Sequence, residues 1–249
     1  MTTDREDIYL ITGGYGFIGS SLIRILLKKE KTVCNIDKLT YSSNLNALEN
    51  YDKTENYHFY KEDICNENKI FEIIERHKPT KVIHLAAETH VDRSIDNPSE
   101  FVKSNINGTY SLLNSTYRYW KKLEDDEKSF FKLLIVSTDE VYGSLKLDEL
   151  PSDENSPYKP NSPYSASKAA CDHLARAWFK TFNLPIIVTN TSNNYGPWQF
   201  PEKLIPLTIL KCINNQKIPI YGNGEQMREW IYVDDHSEGL LTAIKNGIA

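Results

Sequence analysis

Short apolar runs alternate along this chain with stretches whose apolar residues recur at helical spacing. Residues 8–12 (IYLIT), 32–37 (TVCNID), 57–64 (YHFYKEDI), 81–87 (KVIHLAA), 131–138 (FKLLIVST) and 184–192 (LPIIVTNTS) read as strands. Helical patterns lie between most of them, at 17–29, 66–77, 99–122 and 163–182. Several of the runs are apolar at consecutive positions, as in strands covered on both faces. Such strands, joined by helices, form a parallel sheet with a helical layer on each side. The fold class is therefore α/β, a doubly wound parallel sheet.

The pattern changes after about Asn190. Residues 193–206 (NNYGPWQFPEKLIP) are rich in Pro, Gly and aromatics and read as loop. A helix at about 203–214 follows, then one more strand and helix within 228–244 (REWIYVDDHSEGLLTAI). The expected organisation is a nucleotide-binding domain over 1–190, to which 229–249 returns, and a smaller lobe over 191–228.

Composition narrows the classes. The 249 residues are 40% hydrophobic, enough for a sizeable core. A net charge of −5 with scattered basic residues offers no field for nucleic acid. No segment approaches the length of a membrane-spanning helix, so no membrane partner is expected, and the polar N-terminus does not read as a signal peptide. Cys34, Cys65, Cys171 and Cys212 are far apart, and the six histidines show no metal-ligand spacing. Reduced thiols in a cytoplasmic protein without a metal site are the expectation.

Between the first strand and the first helix stands TGGYGFIGS, with glycines at 13, 16 and 19. In that setting one glycine permits a tight turn, one lets the backbone approach a pyrophosphate and one lets the helix pack on the sheet. The helix N-terminus, at Phe17 and Ile18, then stabilises the phosphate charge. Asp37 closes the second strand, where its carboxylate can accept from ribose hydroxyls and would repel a 2′-phosphate. The sheet is thus Rossmann-type and the cofactor read from it is NAD, with Lys38 beside Asp37. Asp63 and Ile64, at the end of the third strand, are candidates to flank the adenine, and Ala86 and Ala87 leave room after the fourth.

Tyr164 and Lys168 lie one helical turn apart, on one face. An ammonium near a phenol favours the phenolate, which lowers the Tyr164 pKa and makes it a base for a sugar hydroxyl. The fifth strand ends in Thr138, Asp139 and Glu140. Adjacent residues of a regular strand face opposite sides, so both carboxylates reach one substrate only if the strand ends or twists there.

These stretches, with HLAAETHVDRSI, NNYGPWQFPEKLIP and PIYGNGEQMREWIYVDDH, resemble the extended short-chain dehydrogenase/reductases. The resemblance is specifically to nucleotide-sugar 4,6-dehydratases of the dTDP-glucose type, and it spans nearly the whole chain in family order. It implies NAD-dependent oxidation of C4 of a glucose carried on dTDP or UDP, loss of water across C5–C6 and return of the hydride to C6. It implies Tyr164 as the C4 base, Lys168 as its electrostatic neighbour and Thr138 as hydrogen-bond donor or relay, with Asp139 as acid and Glu140 as base. Asn105 belongs to the active-site polar network in this scheme. Asn194, Lys203, Leu204, Tyr221 and Arg228 would hold the nucleotide diphosphate and base. A homodimer through the helices at 99–122 and 163–182 is expected. Family members continue beyond the last residue here, so the substrate lobe is expected to be incomplete and NAD binding better preserved than substrate affinity. A 4-epimerase or decarboxylase of the same superfamily, or a non-catalytic NAD-binding protein, are the alternatives. The Asp139–Glu140 pair argues against each.

Overall fold

The computed structural model describes residues 6–248 except 52, 147 and 221. The chain runs through β1 (Ile8–Thr12), α1 (Phe17–Lys28), β2 (Thr32–Asp37), a 3-10 turn (Leu45–Leu48), β3 (Tyr57–Lys61), α2 (Glu67–His77) and β4 (Lys81–His84). Then come α3 (Val91–Asp96), α4 (Pro98–Phe101), a π-helical turn (Val102–Asn107), α5 (Gly108–Trp120) and α6 (Asp125–Phe130). Next are β5 (Lys132–Thr138), a 3-10 turn (Asp139–Tyr142), α7 (Pro163–Phe182) and β6 (Ile186–Thr191). Last are β7 (Asn193–Tyr195), α8 (Leu204–Ile213), β8 (Trp230–Tyr232) and α9 (Val233–Asn246).

β1 to β6 form one parallel sheet in the order β3-β2-β1-β4-β5-β6. Consecutive strand residues are buried on opposite faces, as the unbroken apolar runs require. Leu10, Cys34, Val82, Leu133 and Ile135 pack with Ile70 and Ile74 of α2, Leu112 and Leu113 of α5 and Ala175 of α7. Their neighbours Tyr9, Ile11, Val33, Ile83 and Leu134 pack on the other side with Leu22, Ile23 and Leu26 of α1 and Leu240 and Ile244 of α9. The last helix thus lies in the sheet's core layer, tied to α1 by Ser237 Oγ donating to Ser21 Oγ at 3.1 Å.

Several elements are shorter than their patterns predict. β3 stops at Lys61 rather than 64 and β4 at His84 rather than 87. The Leu85 N–H turns to the Thr12 carbonyl, and the Leu85 and Ala86 N–H groups also reach Thr12 Oγ1, so the chain leaves the ladder there. The helix predicted over 99–122 is interrupted by the π turn, whose wider winding accommodates Asn105 in a buried bonding role. Asn105 Oδ1 accepts from the Glu88 N–H at 2.8 Å, and its Nδ2 donates to Ser167 Oγ at 2.8 Å. β7 and β8 pair in parallel as a separate two-stranded sheet that draws residues 229–232 back beside 193–195.

The sheet reverses winding between β1 and β4, so a crevice opens at the carboxyl ends of those strands. Gly13 sits in it with φ +75°, and a Cβ there would lie 2.7 Å from the Ala86 backbone. Gly19 packs its α-carbon on the same loop. A Cβ on it would lie 2.2 Å from the Gly13 carbonyl oxygen and 2.8 Å from Gly14 Cα, both backbone atoms that cannot swing away. Gly19→Ala would gain about 1 kcal/mol of helix propensity but overpacks this contact. We expect a net loss of about 1–3 kcal/mol, measured as a lower urea midpoint at unchanged slope.

Candidate active site

One cavity of about 360 Å³ runs along the carboxyl ends of the strands, within the usual size of a ligand pocket. At one end are Gly13, Gly16, Phe17, Ile18 and Gly19. α1 begins there with Gly16 as its N-cap, no capping side chain and no acidic residue in its first turn. Its first N–H groups therefore remain available to an anion. Asp37, Lys38, Ile64, Ala86 and Ala87 continue the wall. The Gly13 and Gly19 contacts, the bare helix terminus and a carboxylate at the end of β2 form a donor and acceptor set that fits a dinucleotide.

Asp37 is also structural. Its Oδ2 accepts from the Tyr15 N–H at 2.9 Å and its Oδ1 from the Leu39 N–H at 2.8 Å. Burial raises its pKa, while those N–H groups, Ser43 and Lys38 oppose the rise. Lys38 Nζ lies 3.3 Å from Glu88 Oε1. Asp63 is not on the cavity wall. Its Oδ1 accepts from the Cys65 N–H at 2.9 Å, capping the turn after β3, and Glu62 and Ile64 line the cavity in its place.

At the other end, β5 gives way at Thr138 to the 3-10 turn. Thr138 is its N-cap, accepting the Glu140 N–H on Oγ1 at 3.2 Å. With three residues per turn in place of strand alternation, Asp139 and Glu140 both reach the cavity wall. Tyr164, Lys168, Ser137 and Thr138 line the same space. Tyr164, only 8% exposed, contacts the Thr138 hydroxyl and carries the edge of Phe101 against its ring.

Burial, and then the charges of Glu140 and Asp139, push the Tyr164 phenol up in the chain without cofactor, while the Thr138 hydroxyl favours the phenolate. Lys168 gives one of its three N–H donors to the Val136 carbonyl at 2.8 Å and lines the same cavity. Burial also raises both carboxyls. Glu140 is further raised by Asp139 and drawn back by Lys203 and Arg228, whereas the Thr138 hydroxyl lowers Asp139.

Lys203 and Leu204 line the cavity, and Lys203 Nζ reaches the Thr89 carbonyl at 3.4 Å. Asn194 lines it too, but its side chain is engaged within the protein. Its Nδ2 donates to the Ser192 carbonyl and its Oδ1 accepts from His236 Nδ1 at 2.8 Å. Arg228 is exposed and donates to the Met227 carbonyl at 2.7 Å, so its charge, not its contact, reaches Glu140. Tyr221 lies outside the described residues.

Sequence reasoning missed three buried polar groups beneath the cavity. Asn35 Oδ1 accepts the Gly14 N–H at 3.0 Å. Asp172, one turn beyond Lys168, accepts from Ser137 Oγ at 2.7 Å and Tyr158 at 3.0 Å. The four-residue spacing Tyr164–Lys168–Asp172 was a readable signal for it. His84 is held between Thr12 and Thr109 at 2.7 and 3.0 Å, and nothing in the sequence marked it.

Fold and cavity define a dinucleotide-binding enzyme of the short-chain dehydrogenase/reductase kind. The family model described as GDP-mannose 4,6 dehydratase matches residues 10–249. The chain is 52% identical over 238 residues to a probable dTDP-glucose 4,6-dehydratase of Sinorhizobium fredii, covering 96% of this chain and 68% of the relative. It is 50% identical over 248 residues to the dTDP-glucose 4,6-dehydratase of Escherichia coli, with the same coverage. The crystal structure of DesIV, a dTDP-glucose 4,6-dehydratase from Streptomyces venezuelae with NAD and TYD bound, superposes with a TM-score of 0.88 at 39% identity, over 97% of this chain and 73% of that one. The Thermotoga maritima UDP-glucose 4-epimerase superposes with a TM-score of 0.83 at 29% identity, over 94% of this chain and 72% of that one. The chain belongs to the nucleotide-sugar 4,6-dehydratase family.

Burial holds the His84 pKa far below its usual 6.5, at about 3, so the folded chain keeps this ring neutral. Above about pH 6.5 both folded and unfolded rings are neutral. Below it the unfolded ring takes a proton that the folded one refuses, and stability falls as pH falls. The slope is at most about 1.4 kcal/mol per pH unit. Glutamine cannot titrate there, so the stability gap between wild type and His84→Gln should close by about 2 kcal/mol from pH 7 to pH 5. Urea denaturation at both pH values measures it.

Proposed function

We propose that the chain converts dTDP-glucose into its 4-keto-6-deoxy derivative, with NAD as a resident cofactor. The observation that carries this reading is the adjacent acid pair, Asp139 and Glu140, on the wall of the cavity that holds Tyr164. A 4-epimerase has a use for Tyr164, Lys168 and NAD but none for two carboxylates beside them.

NAD would lie with its pyrophosphate on Gly13, Gly16 and the first turn of α1, and its adenosine ribose on Asp37. Bound there, its nicotinamide supplies an acceptor for the hydride from C4 and later a donor to C6. The remaining chemistry belongs to the chain. Tyr164 takes the C4 hydroxyl proton with the Thr138 hydroxyl beside it. The C4 ketone acidifies C5, and Glu140 removes that proton. Asp139 protonates the departing C6 hydroxyl, and Glu140 returns its proton to C5. One carboxyl must arrive charged and the other protonated, and two like charges in a partly buried site favour this division. Lys203, Leu204 and Arg228, with the backbone around Asn194, are suited to the nucleoside diphosphate, Arg228 by turning inward from its exposed position. Residues 191–228 act as the substrate lobe against a nucleotide-binding unit formed by 1–190 and 229–249. The exposed Tyr110 of α5 and Phe182 of α7 belong to the face expected in a homodimer. The unpaired cysteines suit the cytoplasm.

Mass spectrometry of products from dTDP-glucose and UDP-glucose in parallel tests the reaction and its base preference, with loss of water expected from the dTDP sugar. Asp139→Asn and Glu140→Gln should each slow that loss by about 10²–10⁴-fold. Asp37→Ala should weaken NAD binding, measured by calorimetry, by about ten-fold, because a ribose acceptor and the anchor of the Tyr15 N–H both disappear.

A further inference from the structure

The turn that carries Asp139 and Glu140 is capped at its front by Thr138, and its back rests on a second set of contacts. Gly143 follows the turn at φ +86°, and a Cβ there would lie 2.4 Å from the Lys159 carbonyl oxygen. The Lys159 N–H donates to the Val141 carbonyl at 2.8 Å. The rings of Tyr158 and Tyr142 meet edge to face, with centroids 5.3 Å apart. The chain that leaves the turn at Gly143 therefore comes back at 158–159 and lies directly on it.

This returning segment is pinned at one buried atom. The Tyr158 hydroxyl donates to Asp172 Oδ2 at 3.0 Å, and Ser137 Oγ, near the end of β5, donates to the same oxygen at 2.7 Å. Asn190 of β6 lies opposite Ser137 in the ladder. Its Nδ2 donates to Asp172 Oδ2 at 3.4 Å and to the Thr138 carbonyl at 3.2 Å. One oxygen on α7 thus collects donors from the strand that enters the turn, from the neighbouring strand and from the segment packed behind the turn. The other oxygen, Oδ1, is buried with no hydrogen-bond partner among the described residues. Asp172 is 5% exposed, and neither it nor Tyr158 lines the cavity. A buried carboxyl costs stability unless its bonds offset the lost hydration. An apolar side chain of similar volume would serve packing alone as well or better.

We propose that Asp172 is the positioning residue of the acid turn. With Tyr158 as the pin, it holds the end of β5 and the returning segment at a fixed spacing, so that Asp139 and Glu140 are presented together to C5 and C6 of the sugar. The inference rests on the dehydratase reading. It gives α7 two separate duties: Tyr164 and Lys168 serve the C4 step, and Asp172, one turn further on, serves the loss of water. Hydrogen bonds to a carboxylate are stronger than neutral ones, which makes the anchor stiff. Stiffness matters because a misplacement of about 1 Å can cost about 100-fold in rate.

The competing account is electrostatic. Asp172 stands one helical turn from Lys168, and its charge would then act on the C4 step through that ammonium. The two accounts load different steps. Positioning slows the loss of water and spares C4 oxidation, whereas a charge effect does the reverse.

The NAD-loaded enzyme is mixed with excess dTDP-glucose. Nicotinamide reduction, followed by near-ultraviolet absorbance, reports C4 oxidation, and mass spectrometry of quenched samples reports the loss of water. Tyr158→Phe removes one hydroxyl outside the cavity and keeps the ring. It should slow the loss of water by about ten-fold or more and leave C4 oxidation within about three-fold of wild type, so that reduced nicotinamide accumulates during turnover. Asp172→Ala should show the same pattern more strongly. Asp172→Asn keeps an acceptor in the place of Oδ2 and should fall between Asp172→Ala and wild type. Calorimetry of NAD binding and the urea midpoint check that each variant is folded and loaded, and if Asp172→Ala does not fold, Tyr158→Phe decides alone. A further measurement needs no turnover: backbone hydrogen exchange over residues 139–143 should quicken by about ten-fold in Tyr158→Phe. Equal slowing of both steps in Tyr158→Phe, wild-type rates for both, unchanged exchange over 139–143, or C4 oxidation slowed more than the loss of water in Asp172→Asn each overturns the proposal. Failure of the wild-type enzyme to release water from the sugar overturns the dehydratase reading instead, which keeps the two failures apart.

Discussion

The hydrogen bond from the Glu140 N–H to the Thr138 hydroxyl decides what this sheet edge can do. It caps a 3-10 turn at the point where β5 would otherwise continue its alternation. In a continued strand, Asp139 and Glu140 would face opposite helical layers, and one of two charged groups would enter an apolar core at prohibitive cost. With the turn in place both acids stand at the carboxyl edge of the sheet. The same hydroxyl donates to Asp139 Oδ1 at 3.2 Å and lies against the Tyr164 phenol.

Burial governs the chemistry of the cavity more than any single ion pair. It raises the carboxyls of Asp37, Asp139, Glu140 and Asp172 and the phenol of Tyr164, and it depresses His84. Each of these shifts disfavours the charged form, by the same loss of solvation. Lys168 fits this picture as an anchor on the Val136 carbonyl, with its field acting on Asp172 and Cys171 beside it.

The six strands and their order of appearance were legible because consecutive apolar residues admit few alternatives to a sheet covered on both faces. The glycine loop was legible because Gly13 and Gly19 are required by backbone contacts that any side chain would violate. The ends of β3 and β4 were not legible: Leu85, Ala86 and Ala87 are apolar enough to continue β4, but the Leu85 and Ala86 N–H groups go to Thr12, and beyond β3 the Asp63 N–H turns to the Glu62 carboxylate. The π turn at Val102–Asn107 was invisible, because its cause is the demand of Glu88 and Ser167 for hydrogen bonds with Asn105, two contacts distant in sequence.

Composition and spacing by themselves determined the α/β class, the dinucleotide loop and the presence of a phenol, an amine and two acids in fixed positions along the chain. Only the tertiary structure decided which way those groups act. It bonds Lys168 to the Val136 carbonyl, buries the Tyr164 phenol, engages Asp63 with the Cys65 N–H and ends β5 in the turn that carries both acids to the cavity wall. The physical reason is that periodicity and glycine sterics are local and survive in the sequence. Desolvation and hydrogen-bond geometry depend on what the rest of the chain packs around each group, and the sequence records that only indirectly.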